Sequence, residues 1–192
     1  MRWIDTNKGT KDKPNVRCRL VARDFKVRGD DREDICAHMP PWEAKKALFA
    51  MAAKRYGEAE DVWRVMFVDV KKAHLKAVCE DPCAFVSLPD EDFEEGYCGK
   101  LNRWLYGMRG AAHGWEKEFT EKLTTTGGFR VGQYAPTVFY NERRQLRCVV
   151  HGDDFTFIGN SSSLAWIADL MSQWYEIKMR GILGPESTDV KK

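Results

Sequence analysis

Three carboxylates stand out for where they fall in the chain. Asp69 closes the apolar run 62–70 (VWRVMFVDV), and 84 residues later Asp153 and Asp154 sit side by side in 148–159 (CVVHGDDFTFIG). A lone acid ending an apolar strand needs a reason, because burying a charge without a partner is costly. Adjacent acids repel unless water screens them or a cation lies between them, and hard divalent ions prefer carboxylate oxygen. Two readings of each stay open on local sequence. The pair is either a solvated hairpin turn or a set of metal ligands, and Asp69 either caps the next turn or helix or joins that set. Acids so far apart in the chain converge only through the fold. Such convergence builds two-metal phosphoryl-transfer sites, with ions roughly 3.5–4 Å apart serving the attacking and leaving oxygens.

The elements that must position these acids can be read around them. Residues 148–150 and 155–158 flank the His-Gly-Asp-Asp centre as two β-rich arms of a hairpin. The run 62–70 reads as a strand, and 16–25 alternates so that Arg17, Arg19 and Arg23 would project from one face. That row could grip phosphates bidentately or be an ordinary exposed strand face. Residues 41–55 read as a helix with Ala44, Leu48 and Met51/Ala52 inside, stopped by Gly57. Residues 111–126 read as a second helix, with Trp115, Phe119 and Leu123 on one face. A third is capped by Asn160 or Ser161, with Leu164, Ile167, Ala168, Met171 and Trp174 inside. Residues 6–15 and 29–41 read as loops, 80–89 as a loop into a short strand, 97–106 as a strand pair, 175–179 as a strand and 181–192 as a polar tail. Strands and helices mix without strict alternation, so the class is α+β.

Composition bounds the rest. A chain of 192 residues with 43% hydrophobic and 12% aromatic content can bury one real core. No run approaches the ~18 apolar residues of a membrane helix, and the first residues do not open a signal peptide. A protein inside the cell, cytoplasmic or nuclear, neither secreted nor membrane-spanning, is expected. Six cysteines in this length do not make a disulfide scaffold. The net charge of +2 hides a basic arm, ten Lys/Arg against five Asp over 1–32, and an acidic stretch of seven Asp/Glu over 80–95. A basic arm suits a polyanion, or is simply a solvated terminus. Cys36-x-His38 and Cys79-x3-Cys83 offer zinc-type ligands, but the first spacing is short for a paired-ligand loop and cysteine is commonly a small buried hydrophobe.

Five blocks, in order, resemble the reverse transcriptase of Ty1/copia-type LTR retrotransposons. They are RCRLVAR at 17–23 for K-A-R-L-V-A-R, FVDVKKA at 67–73 for M-D-V-K-T-A-F, and LYGMR at 105–109 for L-Y-G-L-K with Trp115 beyond. GDD at 152–154 comes next for the acids of Y-V-D-D, then YEIKM at 175–179 with Leu183-Gly184. The likeness covers about residues 16–184. It implies a right-hand polymerase reduced to fingers and palm over 1–192, an antiparallel palm sheet backed by helices, and a catalytic Gly-Asp-Asp hairpin. No RNase H or integrase region is expected.

The resemblance also implies an activity, RNA-directed DNA polymerase, with Asp69, Asp153 and Asp154 as catalytic carboxylates. Asp69, Asp153 and the Val70 backbone would hold two Mg²⁺ or Mn²⁺ ions while a primer 3′-hydroxyl attacks the α-phosphate of a deoxynucleoside triphosphate. Arg17 and Arg19 would hold the triphosphate, Lys71, Lys72 and Ala73 would lie near it, and His74 would face the sugar. Arg23, Arg109, Gly110, His151 and Gly152 would lie toward an RNA template and DNA primer, in a retrotransposon polyprotein context. Departures fall around the ligands rather than on them. His151-Gly152 replace Tyr-Val, His74 replaces an aromatic ring, and Gly110 and Ala112 replace Gln and Pro, with His113 at the next, basic position. These put nucleotide affinity and sugar selection in question, and a Gly before the acids is expected to loosen the hairpin. The rival expectation is a degenerate, non-catalytic remnant that binds nucleic acid without turnover; a purely structural α+β domain would do neither.

Overall fold

A computed structural model of the chain describes residues 1–25, 37–54, 62–186 and 189; Cys36, Arg55 and Gly57 lie outside them. In chain order the elements begin with strands β1 (Arg2–Asn7) and β2 (Val16–Val21), helix α1 (Trp42–Lys54), and strands β3 (Arg64–Val70), β4 (Phe85–Val86) and β5 (Gly99–Lys100). They continue with α2 (Ala111–Glu121), β6 (Arg130–Val131), β7 (Val138–Asn141), β8 (Leu146–His151), β9 (Asp154–Gly159), α3 (Ser161–Trp174) and β10 (Ile177–Leu183). They divide between two compact units, Met1–Ala37 with His74–Glu118, and His38–Ala73 with Phe119–Lys192.

The second unit is built on one antiparallel sheet in the order β10-β3-β9-β8-β7-β6. Its central strands are apolar along the stretches where both faces are covered. On one face Phe119 meets Phe139 and Phe155 edge-on, at 6.1 and 5.5 Å between ring centroids, and Phe157 stacks on Phe155 at 6.1 Å. Leu164, Ile167 and Met171 of α3 are buried in this unit too. The cap of α3 is the expected one, with Asn160 Oδ1 accepting from the Ser163 N–H at 2.9 Å. On the opposite face Leu48 and Ala52 of α1 join Trp63, Val65, Val149 and Ile158 in a second cluster. Met51, expected inside, is exposed because Leu48 and Ala52 already fill the helix stripe that faces the sheet.

The first unit pairs β1 with β2 as an antiparallel hairpin from Arg2↔Val21 to Asn7↔Val16, and β4 with β5. Sequence reading treats 6–15 as a loop and misses β1, whose polar composition carries no alternation. It also carries the basic strand too far. The Ala22 N–H donates instead to the Tyr106 carbonyl at 2.7 Å, so β2 ends at Val21 and Arg23 is not part of the strand row. Of the strand pair expected over 97–106 only β5 forms. The helix expected over 111–126 is α-helical to Glu121, then widens into a π-turn, Lys122–Thr126. There Thr124 and Thr125 donate their hydroxyls to the carbonyls of Thr120 and Glu121, at 2.8 and 2.6 Å. β10 runs on to Leu183, into the stretch read as tail, because its pairing with β3 continues past a bulge. Among the described residues no helix is long and apolar enough to cross a membrane.

Candidate active site

Register does the work of bringing distant acids together. In the second unit β3 pairs with β9 so that Asp69 stands directly opposite Asp154, and β8 pairs with β9 so that His151 does too. Asp153 occupies the turn between, and its carbonyl accepts from the Val70 N–H at 2.9 Å, which ties the turn to the end of β3. Of the turn's two central residues only Gly152 has positive φ, +64°. That is the II′ arrangement, for which Gly at the first central position is the preferred residue. Gly152 therefore fits this turn instead of loosening it.

The acids feel one another. Burial pushes the Asp154 carboxyl above its ordinary value, and the negative charges of Asp153 and Asp69 push it further, against the opposing pull of Arg180 and His151. Asp69 has found a counter-charge: Arg180 Nη2 lies 2.7 Å from Asp69 Oδ2, with the Asp69 side chain only 15% exposed. Beside them opens a cavity of about 410 Å³, lined among others by Lys45, Phe49, Phe67, Thr156 and Arg180. Among the described residues no three His, Cys, Asp or Glu side chains stand around a common point ready to cage an ion. The donor chemistry nonetheless fits a hard divalent cation, because the donors are oxygen only and one of them already draws a guanidinium.

The strand end carries further expected residues. Lys71 donates its N–H to the Glu176 carbonyl at 2.9 Å, and its ammonium lies 2.6 Å from the Glu176 carboxylate. Lys72 has φ +55°, a left-handed backbone rare for a lysine and costing about 1–2 kcal/mol. Such strain clusters at functional sites. Ala73 is buried.

The first unit holds the others. Arg17, exposed, stands opposite Thr6 on β2, and Arg19, half-buried, opposite Ile4. Arg23 is exposed, 6.0 Å over the Phe25 ring. His74 is half-buried with its ring 4.8 Å from that of Tyr106. Arg109 donates its backbone N–H to Asp24 Oδ2 at 3.1 Å. Gly110 is buried where a Cβ would stand 2.4 Å from the Trp104 ring, so packing accounts for a glycine there.

Sequence reasoning missed Arg180 and Lys45. Alternation marks 175–179 as a strand but reveals neither its partner β3 nor a bulge; the one available signal is Gly181, directly after the arginine. Of the zinc-type ligands, Cys79 is half-buried and Cys83 exposed, and Cys36 lies outside the described residues.

Comparison with known proteins agrees with the five-block likeness. A family model described as reverse transcriptase (RNA-dependent DNA polymerase) matches residues 1–182. Two retrovirus-related Pol polyproteins of Arabidopsis thaliana, from transposons RE1 and RE2, are 26% and 25% identical over 186 residues. Each alignment covers 92% of this chain and 12% of the relative, so the chain spans about an eighth of their length. An antiparallel sheet within a mixed α+β fold, blocks in order along the sequence and a family match over nearly the whole chain converge: it belongs to the reverse transcriptase family of copia-like retrotransposon Pol polyproteins.

Proposed function

We propose that this chain is the fingers-and-palm part of an RNA-directed DNA polymerase, a nucleotidyltransferase acting within a longer Pol polyprotein. The six-stranded sheet is then the palm, and the β8–β9 turn its catalytic hairpin. One observation carries the reading: Asp69 lies opposite Asp154 while Val70 binds the Asp153 carbonyl, so three acids share the end of one strand pair. Asp69 and Asp153 supply carboxylate oxygens for two divalent ions, Mg²⁺ or Mn²⁺, and the Val70 carbonyl adds a further donor. The chemistry such ions supply when bound is activation of the primer hydroxyl and charge neutralisation at the leaving oxygen. Asp154, whose carboxyl burial and then the charges of Asp153 and Asp69 push above its ordinary value, is the third catalytic carboxylate without being a principal ligand.

Arg17 and Arg19 grip the triphosphate, where planar guanidiniums suit phosphate oxygens. Lys71, Lys72 and Ala73 lie along the same phosphates, and His74 faces the incoming sugar. Arg23, Arg109, Gly110, His151 and Gly152 contact template and primer. The test is extension of a labelled DNA primer on an RNA template with four deoxynucleoside triphosphates and Mg²⁺ or Mn²⁺. Extension by the parent, absent in Asp153→Asn and Asp69→Asn, is the expected result. The Arg180–Asp69 ion pair favours a second reading, a remnant that binds nucleic acid without turnover, since the guanidinium occupies a carboxylate oxygen that a metal would need. Salt-sensitive duplex binding with no extension under either ion would select that reading.

A further inference from the structure

We infer that Arg180 is a built-in cation that competes with divalent metal for Asp69, so that metal binding and guanidinium release are one exchange. The inference rests on the reading of Asp69 as a metal ligand and goes beyond it, because it assigns a role to a residue outside the acid cluster. Arg180 is the extra residue of a bulge: Met179 pairs with Val68 and Gly181 with Phe67, leaving Arg180 without a partner in the β3–β10 register. Bulges re-aim side chains. Gly181 sits at φ +130°, a conformation other residues rarely adopt, which lets the strand take this step and rejoin β3.

The re-aimed guanidinium lies 2.7 Å from Asp69 Oδ2, one of the two carboxylate oxygens that Asp69 can offer a metal. Arginine does not deprotonate in proteins, so only displacement frees that oxygen. There is somewhere for it to go. The Arg180 side chain is 42% exposed and borders the cavity of about 410 Å³, where Phe49 and Phe67 present ring surface on which a weakly hydrated guanidinium can rest. Until displaced, Arg180 offsets the repulsion between Asp69 and Asp154 that the register enforces. It therefore acts as a positioning residue, holding the acids together before metal arrives.

The test titrates Mn²⁺ into the metal-free full chain, following the free-ion signal by electron paramagnetic resonance. Melting is followed in parallel with and without Mn²⁺. The variants are Arg180→Met, Arg180→Gln, Lys45→Met and Asp69→Asn. Binding by the parent that Asp69→Asn abolishes is expected, with affinity about tenfold tighter in both Arg180 variants, the size of effect one close charge exerts on another. Lys45→Met, which removes the other formal cation lining the cavity, should change affinity less than about twofold if contact rather than general field is responsible. Without metal both Arg180 variants should melt below the parent, and saturating Mn²⁺ should close that gap. Equal affinities in parent and Arg180 variants, or an equal gain in Lys45→Met, overturn the exchange while leaving Asp69-dependent metal binding intact. Absence of Mn²⁺ binding in parent and variants alike overturns both the exchange and the metal-site reading.

Discussion

On one face of the six-stranded sheet the rings of Phe119, Phe139, Phe155 and Phe157 close on one another; on the other, Val65 and Ile158 under α1 give way to Phe67 and Thr156, then to Asp69, Asp154 and His151. The same strands build both, since side chains alternate and each residue belongs to one face only. The ring face has no open end: Phe155, beside the acids in sequence, is 1% exposed. The acid face is covered at one end of the strands and open at the other. Rigidity is supplied by one face and chemistry by the other, across a single layer of backbone. Changes on the first should cost stability, and changes on the second should alter ion and nucleotide chemistry with small effects on stability.

The largest test of that division is Phe155→Ala. Removing a ring packed against Phe119 and Phe157 should lower unfolding free energy by about 3–5 kcal/mol, read from urea denaturation. A loss below about 1 kcal/mol would mean the ring face is not the rigid one. Next comes Gly152→Ala. Nothing lies within 4 Å of where its Cβ would stand, so the cost is conformational, about 1–2 kcal/mol from the left-handed backbone. The same assay measures it, and no loss would show that the turn is not held in the II′ form. Smaller still is Asn160→Ala, which strips the cap from α3, at about 1 kcal/mol with the metal response unchanged.

Much of this division is legible in the sequence because it rests on regular spacing, of period two in the strands and of helical period in the helices. The hairpin arms, Asp69 at the end of an apolar strand and the Asn160 cap each follow from residue types at fixed spacing. So does the buried stripe Trp115, Phe119 and Leu123, all three of which are buried. What failed lacked such a pattern. β1 is polar, and the two-residue strand β6 owes its existence to its partner rather than to propensity. The π-turn depends on threonine hydroxyls competing for carbonyls, which helical periodicity does not register. At the site, residue types indicated which acids to examine, but not that a bulge one residue long would aim Arg180 at one of them. The flip of a single side chain across a register shift is a tertiary event.

The finest test lies where the two faces meet, at Asp154, neighbour in sequence to the buried Phe155. Its folded carboxyl is raised above its ordinary value, because burial disfavours its charge and Asp153 and Asp69 add repulsion. Between its unfolded and folded values the native state therefore holds more protons than the unfolded chain. Linkage then makes stability fall as pH rises through that window, with the destabilisation fully present above the folded value and absent below the unfolded one. Asp154 is only partly shielded from solvent, so screening keeps the effect well under about 1 kcal/mol. Asp154→Asn should remove this slope in the metal-free chain, measured as the difference in urea midpoint between parent and variant across the mildly acidic range. A parent less stable than the variant at neutral pH, with the gap narrowing toward acid, is the expected sign. The reverse sign would mean that Arg180 and His151 outweigh the neighbouring carboxylates, and that the acid face is already neutralised before any ion binds.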